Sequence, residues 1–172
     1  MIRAVVSSTY VCKRMQPVSH SAVASFAFPF AASFAPQDDI LPPHLTIAEH
    51  LRFHARLRLP TRWPKARACA RALREAEALG LRGAALHATY LGRCSGGQRR
   101  RATLATALLA RRRFVLADEP TTGLDAATAL KVMGHLATLA TRGVTVVCVL
   151  HQPRREIVRL LDRVALVAGG RL

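Results

Sequence analysis

The stretch Leu91–Pro120 constrains this chain most, because it joins a glycine-led helix start to an apolar strand that ends in two carboxylates. Ser95, Gly96 and Gly97 precede strong helix formers, so the glycines fall where a helix begins and its first N–H groups lack partners. Free N–H donors, the positive end of the helix dipole and a close glycine backbone suit a phosphate. A serine cap on an ordinary helix explains the same residues, so both interpretations stay open.

The second half of this stretch is the apolar run Phe114–Ala117, followed by Asp118 and Glu119. A continuous apolar run after a basic turn predicts a buried parallel strand, and open α/β sheets bind their ligands at the carboxyl ends of such strands. Two adjacent acids suit phosphoryl transfer, one holding Mg²⁺ and the other polarising an attacking water. A solvated acidic loop after a core strand is the alternative.

Four motifs follow one another in an order that is specific. CSGGQ, FVLADEP, TTGLD (Thr121 to Asp125) and the strand VTVVCVL closing on His151 resemble the signature, Walker B, D-loop and H-loop of ABC-type ATPases. The tract from Phe34 to Pro60 resembles the Q-loop and the helical segment after it, with Gln37 at the coupling position. Its PQDD, together with HQPR, is similar to the G subfamily of white and pleiotropic-drug-resistance exporters.

This resemblance covers Phe34 to Leu172 and implies the fold. It implies an α/β, P-loop NTPase-like parallel sheet flanked by helices, with an ABC-type helical subdomain over about residues 44–94. We expect residues 34–172 to form a partial ABC ATPase domain and leave residues 1–33 unassigned. The N-terminal part of the fold, with one inner strand of the sheet, is expected to be missing.

No G-x-x-x-x-G-K-[ST] loop occurs in the sequence, so the Walker A cradle for the nucleotide phosphates is expected to be absent. Residues 1–33 are basic and rich in Ser and Ala. Two interpretations stay open for them: a transit or signal segment, or a start of the domain that has been replaced by unrelated sequence. Their apolar run is too short and too interrupted to span a bilayer.

The resemblance also implies the roles of the site residues. Mg²⁺ would be held by Asp118 and Gln37, and the catalytic set would be Glu119, His151 and Gln37, with His151 sensing the γ-phosphate of ATP. The signature residues would clamp an ATP held by a second nucleotide-binding domain in a head-to-tail dimer: these are Ser95, Gly96, Gly97 and Gln98. Asp125 is placed either to cap the next helix or to reach across the dimer seam.

Local patterns predict the remaining elements. Thr46 to Glu49 reads as a capping box that opens a helix through about Leu57. An amphipathic helix is expected over Trp63–Leu79, a further helix over Ala126–Thr141, and a buried strand over Val144–Leu150.

The composition limits the class of partner. With 26 Lys and Arg against 10 Asp and Glu, the net charge is +16, nearly all of it from arginine. Clustered arginine suits nucleic acid, but no aromatic residues interleave to form a stacking platform. Solvated helix faces explain this composition better, and anionic lipid headgroups are a further possible contact. The four scattered cysteines lack a metal-ligand spacing and are read as reduced thiols.

The function expected from the resemblance is ATP binding and hydrolysis, with ATP and Mg²⁺, to power export across a membrane. The partners would be a second nucleotide-binding domain and a transmembrane domain, with the ATPase domain membrane-associated on the cytoplasmic side. Two alternatives stay open: a truncated, non-catalytic remnant or pseudo-ATPase, and a soluble ABC-type ATPase that acts on nucleic acid or ribosomes. Nucleic acid is not an expected partner.

Overall fold

The computed structural model describes residues 2–7, 32–110 and 112–167. Five parallel strands form one sheet in the order β2-β3-β4-β1-β5. In chain order the strands are β1 (Ile2–Ser7), β2 (Ala32–Ala35), β3 (Phe114–Asp118), β4 (Thr145–His151) and β5 (Arg163–Val167). The predicted fold class, a parallel sheet flanked by helices, is confirmed.

Six helices connect and cover these strands within the described part of the chain. They are α1 (Ile47–Arg58), α2 (Lys65–Ala78), α3 (Ala84–His87), α4 (Gly96–Leu108), α5 (Ala126–Thr141) and α6 (Arg155–Val158). Helix α4 packs against β2 and β3, α5 packs against β4 and β1, and α1 and α2 pack on each other and on α4. None of these helices is both long and apolar enough to cross a membrane.

One expectation about the N-terminal part is wrong. The inner strand that was expected to be missing is supplied by Ile2–Ser7, which lies between β4 and β5 and pairs in parallel with both. The register matches Ser7 with His151 and with Val167, so β1 ends at the same edge of the sheet as its neighbours. The segment is short and mostly apolar, and no glycine or proline marks its end. Its sequence pattern therefore did not predict where a strand begins or ends. The interpretation of residues 8–31 lies outside the described residues.

Side chains cap the N-termini of three of these helices, α1, α4 and α5. The predicted capping box of α1 is present: Thr46 Oγ1 accepts from the N–H of Glu49 at 3.2 Å, and the Glu49 carboxylate accepts from the N–H of Thr46 at 2.8 Å. Ser95 and Gln98 form a second capping box at α4. Gly80, at a φ of +82°, follows α2 and takes the left-handed conformation that a non-glycine residue rarely adopts.

The inner strand β4 is buried, whereas Val164 and Leu166 of the edge strand β5 are exposed. Val146, Cys148 and Leu150 of β4 are fully buried, and the residues between them are partly buried. Burial raises the pKa of the Cys148 thiol to about 12. The three cysteines in the described ranges, Cys69, Cys94 and Cys148, form no disulfide.

A buried cluster of Arg71, Glu75 and His135 links α2 to α5. The Glu75 side chain is 2% exposed; one of its carboxylate oxygens lies 2.6 Å from His135 Nε2, and the other accepts from the Arg71 guanidinium. Burial by itself would raise the pKa of Glu75, but the hydrogen bond to His135 and the charge of Arg71 hold this pKa below its ordinary value. The cluster therefore joins a helix of the expected helical subdomain to a helix that covers the sheet.

We expect Glu75→Ala to lower the free energy of unfolding by about 3 kcal/mol, because the substitution leaves the Arg71 guanidinium partly buried without its counter-ion. The matched control is Glu77→Ala, an exposed carboxylate on the same helix, which should change stability by no more than about 0.5 kcal/mol. Denaturant titrations of the three proteins measure both values.

The effect should also depend on pH. Because the folded-state pKa of Glu75 lies below the ordinary value of 4.5, its stabilisation is complete above pH 4.5 and is lost as pH falls through the folded-state pKa. The stability difference between the wild type and Glu75→Ala should therefore shrink below pH 4.5. A difference that stays constant across that range would contradict this assignment.

Candidate functional site

The predicted site residues of the Q-loop and Walker B motif meet at the carboxyl end of the sheet. Gln37 follows β2, Asp118 ends β3, and Glu119 comes directly after it. The side-chain amide Nε2 of Gln37 donates to Glu119 Oε2 at 3.2 Å, although the two residues are 82 positions apart. The hydroxyl of Thr122 donates to the same carboxylate oxygen at 2.8 Å. The parallel pairing of β2 with β3 explains this meeting, because it brings both strand ends to one edge.

His151 lies at the same edge. It is the last residue of β4, and its neighbour two positions earlier, Val149, pairs with Asp118. The backbone N–H of Glu119 also donates to the carbonyl of Val149 at 3.1 Å. The described structure shows no hydrogen bond from the exposed His151 side chain to Asp118 or Glu119. The strand order thus brings His151 to the site edge, and its imidazole remains available to a ligand.

The backbone is strained beside both strand ends. Glu119 has a φ of +48° and Gln152, next to His151, has a φ of +43°, and these are the two non-glycine residues with positive φ in the described ranges. Such conformations cost of order 1–3 kcal/mol each and persist where surrounding contacts fix them. At Glu119 the contacts are the bond to Val149 and two bonds to its own carbonyl, from Thr122 N–H and Arg100 Nε. This backbone conformation sets the direction in which the Glu119 side chain leaves the end of β3.

Arg100 is a positioning residue that the motif pattern did not reveal. Arg100 lies on α4, and only 3% of its surface is exposed. Its side chain reaches both the Q-loop after β2 and the loop after β3. Its guanidinium donates to the carbonyls of Asp118 and Pro36, to that of Glu119 at 3.2 Å and to that of Gln37 at 3.3 Å. It also lies 3.4 Å from the Asp39 carboxylate. One buried cation therefore sets the spacing between the Q-loop and the end of β3.

The interpretation of the arginine-rich composition as solvated helix faces is therefore wrong for Arg100 and incomplete for Arg99 and Arg101. Arg99 donates to the carbonyl of Cys94 at 2.9 Å, and Arg101 donates to the carbonyls of Gly97 at 3.0 Å and Gly80 at 3.1 Å. The carbonyls of Cys94 and Gly80 lie in loops, whereas that of Gly97 lies in the first turn of α4. The available signal was that Arg100 lies just before the run of small and apolar residues 102–108, all of which are buried.

The electrostatics of the carboxylate pair suit a divalent cation. Burial raises the pKa of Asp118, the adjacent Glu119 charge raises it further, and Arg100 opposes both effects. A cation would relieve the repulsion between the two carboxylates. The described residues contain no cluster of three His, Cys, Asp or Glu side chains that could hold a metal by themselves. Mg²⁺ is commonly bound by one or two protein oxygens together with substrate phosphates, so Asp118 and the Gln37 amide oxygen fit this ion.

The N-terminus of α4 is capped by side chains and is exposed to solvent. Ser95 Oγ accepts from Gln98 N–H at 3.2 Å, and Gln98 Oε1 accepts from Ser95 N–H at 2.9 Å, so the cap interpretation is correct. A hydroxyl that accepts one hydrogen bond keeps its own proton to donate. Ser95 and Gly96 are exposed. The cap and the phosphate interpretations are therefore compatible.

The two glycines of this helix start differ. A Cβ on Gly97 would lie 3.0 Å from Leu124 Cδ2 and 3.3 Å from the Gly123 carbonyl, so Gly97 lets the D-loop pack against α4. A Cβ on Gly96 would meet none of the described neighbouring atoms within 4 Å. Internal packing therefore explains Gly97, whereas Gly96 faces open space in front of the helix.

Asp125 caps α5. Its carboxylate accepts from the N–H of Thr128 at 3.0 Å, and hydrogen bonds around Thr128 lower the pKa of this exposed group. One of the two predicted roles is thus observed. The second role, a contact across a dimer seam, remains a prediction.

The fold and these motifs define a class of protein, the ATP-binding cassette. The sheet and helices are similar to the dimeric structure of MJ0796, a bacterial ABC transporter cassette, with a TM-score of 0.77 over 98% of this chain and 82% of that one, at 21% identity. A second structure of MJ0796, in a post-hydrolysis state bound to ADP and Pi, matches equally well.

The sequence comparisons identify the family. Residues 24–122 match the model of the ABC transporter family, and the chain belongs to this family. It is 38% identical to ABC transporter G family member 22 of Dictyostelium discoideum in an alignment of 149 positions that covers 81% of this chain and 24% of the relative. It is 36% identical to the broad substrate specificity ATP-binding cassette transporter ABCG2 of Bos taurus over 82% of this chain and 22% of that protein.

The predicted resemblance to the G subfamily is confirmed by these relatives. A longer match, to ABC transporter G family member 21 of Arabidopsis thaliana, is 33% identical over 94% of this chain and 25% of the relative. The chain spans about a quarter of the length of these curated relatives.

We expect Arg100→Met to lower the free energy of unfolding by about 3 kcal/mol, because five oxygen acceptors lose their donor in a buried position. Hydrogen exchange of the Q-loop amides, at residues 37–39, should accelerate as well. Arg100→Lys keeps the charge, but an ammonium group cannot donate to the Q-loop and to the end of β3 at once. This variant should therefore retain only part of the protection of the Q-loop amides against exchange. The control is Arg159→Met, an exposed arginine, and equal effects of Arg159→Met and Arg100→Met would contradict the positioning role.

Proposed function

We propose that this chain forms part of the ATPase cassette of a G-type ABC transporter and takes part in an ATP site shared with a second cassette. The contact between Gln37 and Glu119 carries this proposal, because it joins two predicted catalytic residues from distant parts of the sequence beside Asp118. The alternative, a solvated acidic loop, does not account for two features of Glu119. Its backbone has a strained positive φ, and its carboxylate accepts hydrogen bonds from the Gln37 amide and the Thr122 hydroxyl.

The proposed roles at this edge follow from the chemistry of each group. Asp118 and the amide oxygen of Gln37 would hold Mg²⁺, which offsets charge on the phosphates when it is bound. Glu119 would orient and polarise the attacking water, and its bonds to Gln37 and Thr122 fix the carboxylate for that task. His151 would donate a hydrogen bond to the terminal phosphate.

The α4 N-terminus would serve a different nucleotide. Ser95, Gly96 and Gly97 would face ATP bound by the second cassette in a head-to-tail pair, with Gln98 holding Ser95 in place and Asp125 close to the seam. Exposure of Ser95 and Gly96, the open space before Gly96 and the positive end of the 13-residue helix support this role. The dimeric state of the MJ0796 cassette supports the same arrangement.

The cassette would act in the export of a substrate by a transporter whose transmembrane domain is its other partner, with the cassette membrane-associated on the cytoplasmic side. The relatives support this proposal, since those we compared are transporters of the G family or a broad substrate specificity transporter. The identity of the exported substrate would be set by the transmembrane domain.

We expect the 172-residue chain alone to bind ATP only weakly, because its sequence contains no G-x-x-x-x-G-K-[ST] loop to surround the phosphates with backbone N–H groups. Isothermal titration with Mg-ATP and a phosphate-release assay measure affinity and turnover. Micromolar binding together with sustained hydrolysis by the chain alone would overturn this expectation.

We further expect a complete G-type cassette with its own P-loop to hydrolyse ATP faster when this chain is added. Ser95→Arg should abolish that stimulation, since a bulky side chain would fill the space before the helix and remove the hydroxyl. The control is Thr61→Arg, which adds the same charge at an exposed turn away from the site. Stimulation that survives Ser95→Arg would remove the shared site, and absence of stimulation by the wild type would favour a non-catalytic remnant.

A further inference from the structure

A second concave site lies at the end of the sheet opposite to the predicted nucleotide residues. A cavity of about 680 Å³ is lined by Ser33 of β2, Val115 of β3 and Val144, which immediately precedes β4. These residues lie at the amino ends of their strands, whereas Asp118 and His151 lie at the carboxyl ends. A strand of five or six residues is roughly 17–20 Å long, so the cavity is separate from the site described above.

The cavity has the dimensions and the mixed surface of a small-molecule site. Ligand pockets commonly enclose about 300–1,000 Å³, with apolar walls and a few polar groups that fix orientation. Here α2 and α5 form two walls, and Leu108, Val115 and Leu139 supply apolar surface. The apolar part suits the organic portion of a ligand.

The charge of the cavity is strongly positive. Five arginines line it: Arg71, Arg74, Arg112, Arg113 and Arg142. The only carboxylate among the lining residues is Glu75, and that group is already occupied by Arg71 and His135. Across residues 32–110 and 112–167, no carboxylate forms an ion pair with Arg74, Arg113 or Arg142. Arg74, Arg113 and Arg142 therefore line one cavity without a carboxylate partner in the described part of the chain.

These arginines come from three separate parts of the chain. Arg74 lies on α2, Arg113 precedes β3, and Arg142 ends α5. Their mutual repulsion opposes folding, and an anion with charges on more than one side would relieve it. Guanidinium groups also match phosphate oxygens in a two-pronged geometry that a lysine does not offer.

We propose that this cavity binds an organic anion that carries two or more phosphate groups. The phosphates contact Arg74, Arg113 and Arg142, and the organic portion lies on the apolar wall. Such a ligand contacts α2 and α5 at once, beside the Glu75–His135 bond that already joins these two helices. Its binding therefore stabilises the attachment of α2 to the sheet-covering helix.

The test uses pyrophosphate as the probe, because it carries the phosphate chemistry without a nucleoside and so does not depend on the proposed ATP site. We expect saturable binding with one-to-one stoichiometry in calorimetry at constant ionic strength, and an increase in the melting temperature. The cavity variant is Arg74→Ala with Arg142→Ala; both side chains are exposed, so the fold should be retained. This variant should bind pyrophosphate about tenfold more weakly or worse, as expected for lost charge-assisted hydrogen bonds.

The matched control removes the same charge elsewhere, through Arg62→Ala with Arg159→Ala, two exposed arginines outside the cavity. The control should bind pyrophosphate as the wild type does. Equal weakening in both variants would show attraction to net charge alone and overturn the proposal, as would the absence of saturable binding to the wild type.

A second arm separates a soluble ligand from a lipid headgroup. Vesicles of phosphatidylcholine with a phosphatidylinositol phosphate are sedimented with the same three proteins. Vesicle binding that is lost only in the cavity variant identifies a lipid headgroup as the source of the phosphates, whereas pyrophosphate binding without vesicle binding identifies a soluble ligand. Vesicle binding that persists in the cavity variant, together with unaltered pyrophosphate affinity, would overturn the site.

Discussion

The buried guanidinium of Arg100 is the interaction on which the site end of the molecule depends. The carbonyl-rich ends of β2 and β3 and two carboxylates converge there, and without a cation these groups would repel one another in a partly dry environment. Arg100 reaches four carbonyls and the Asp39 carboxylate from a single helix. The same helix presents Ser95 at its start, so one helix positions both the signature residues and the carboxylates after β3.

The fold separates charge along the strands. The carboxyl ends of the strands carry Asp118 and Glu119, next to which a hydrated cation is favourable, and the amino ends carry the arginine-lined cavity. This separation follows from a parallel sheet, because every strand then contributes its first residues to one edge and its last residues to the other. Some of the arginines that give the chain its positive charge therefore line one cavity. Others, such as Arg99 and Arg101, donate hydrogen bonds to backbone carbonyls around α4.

The local patterns predicted most elements well where a physical signal was strong. The capping box at Thr46, the helix over Ala126–Thr141 and the strand delivering Asp118 were all predicted from periodicity and cap chemistry. The strand Ile2–Ser7 was not predicted, because a segment of six residues, four of them apolar, has no periodicity that separates a central strand from a leader-like segment. Its pairing partners lie more than 140 positions away, and no local rule reaches that far.

The sequence by itself determined the class of fold, the family and which residues belong to the predicted site, because these depend on motif order, helix caps and apolar runs that are local to the chain. Only the tertiary structure decided that Gln37 contacts Glu119, that Arg100 is a buried clamp rather than a solvated arginine, and that arginines from α2, the β3 entrance and the end of α5 share a cavity. The physical reason is that such contacts join positions far apart in sequence, and strand order, which sets them, is a property of the packed sheet.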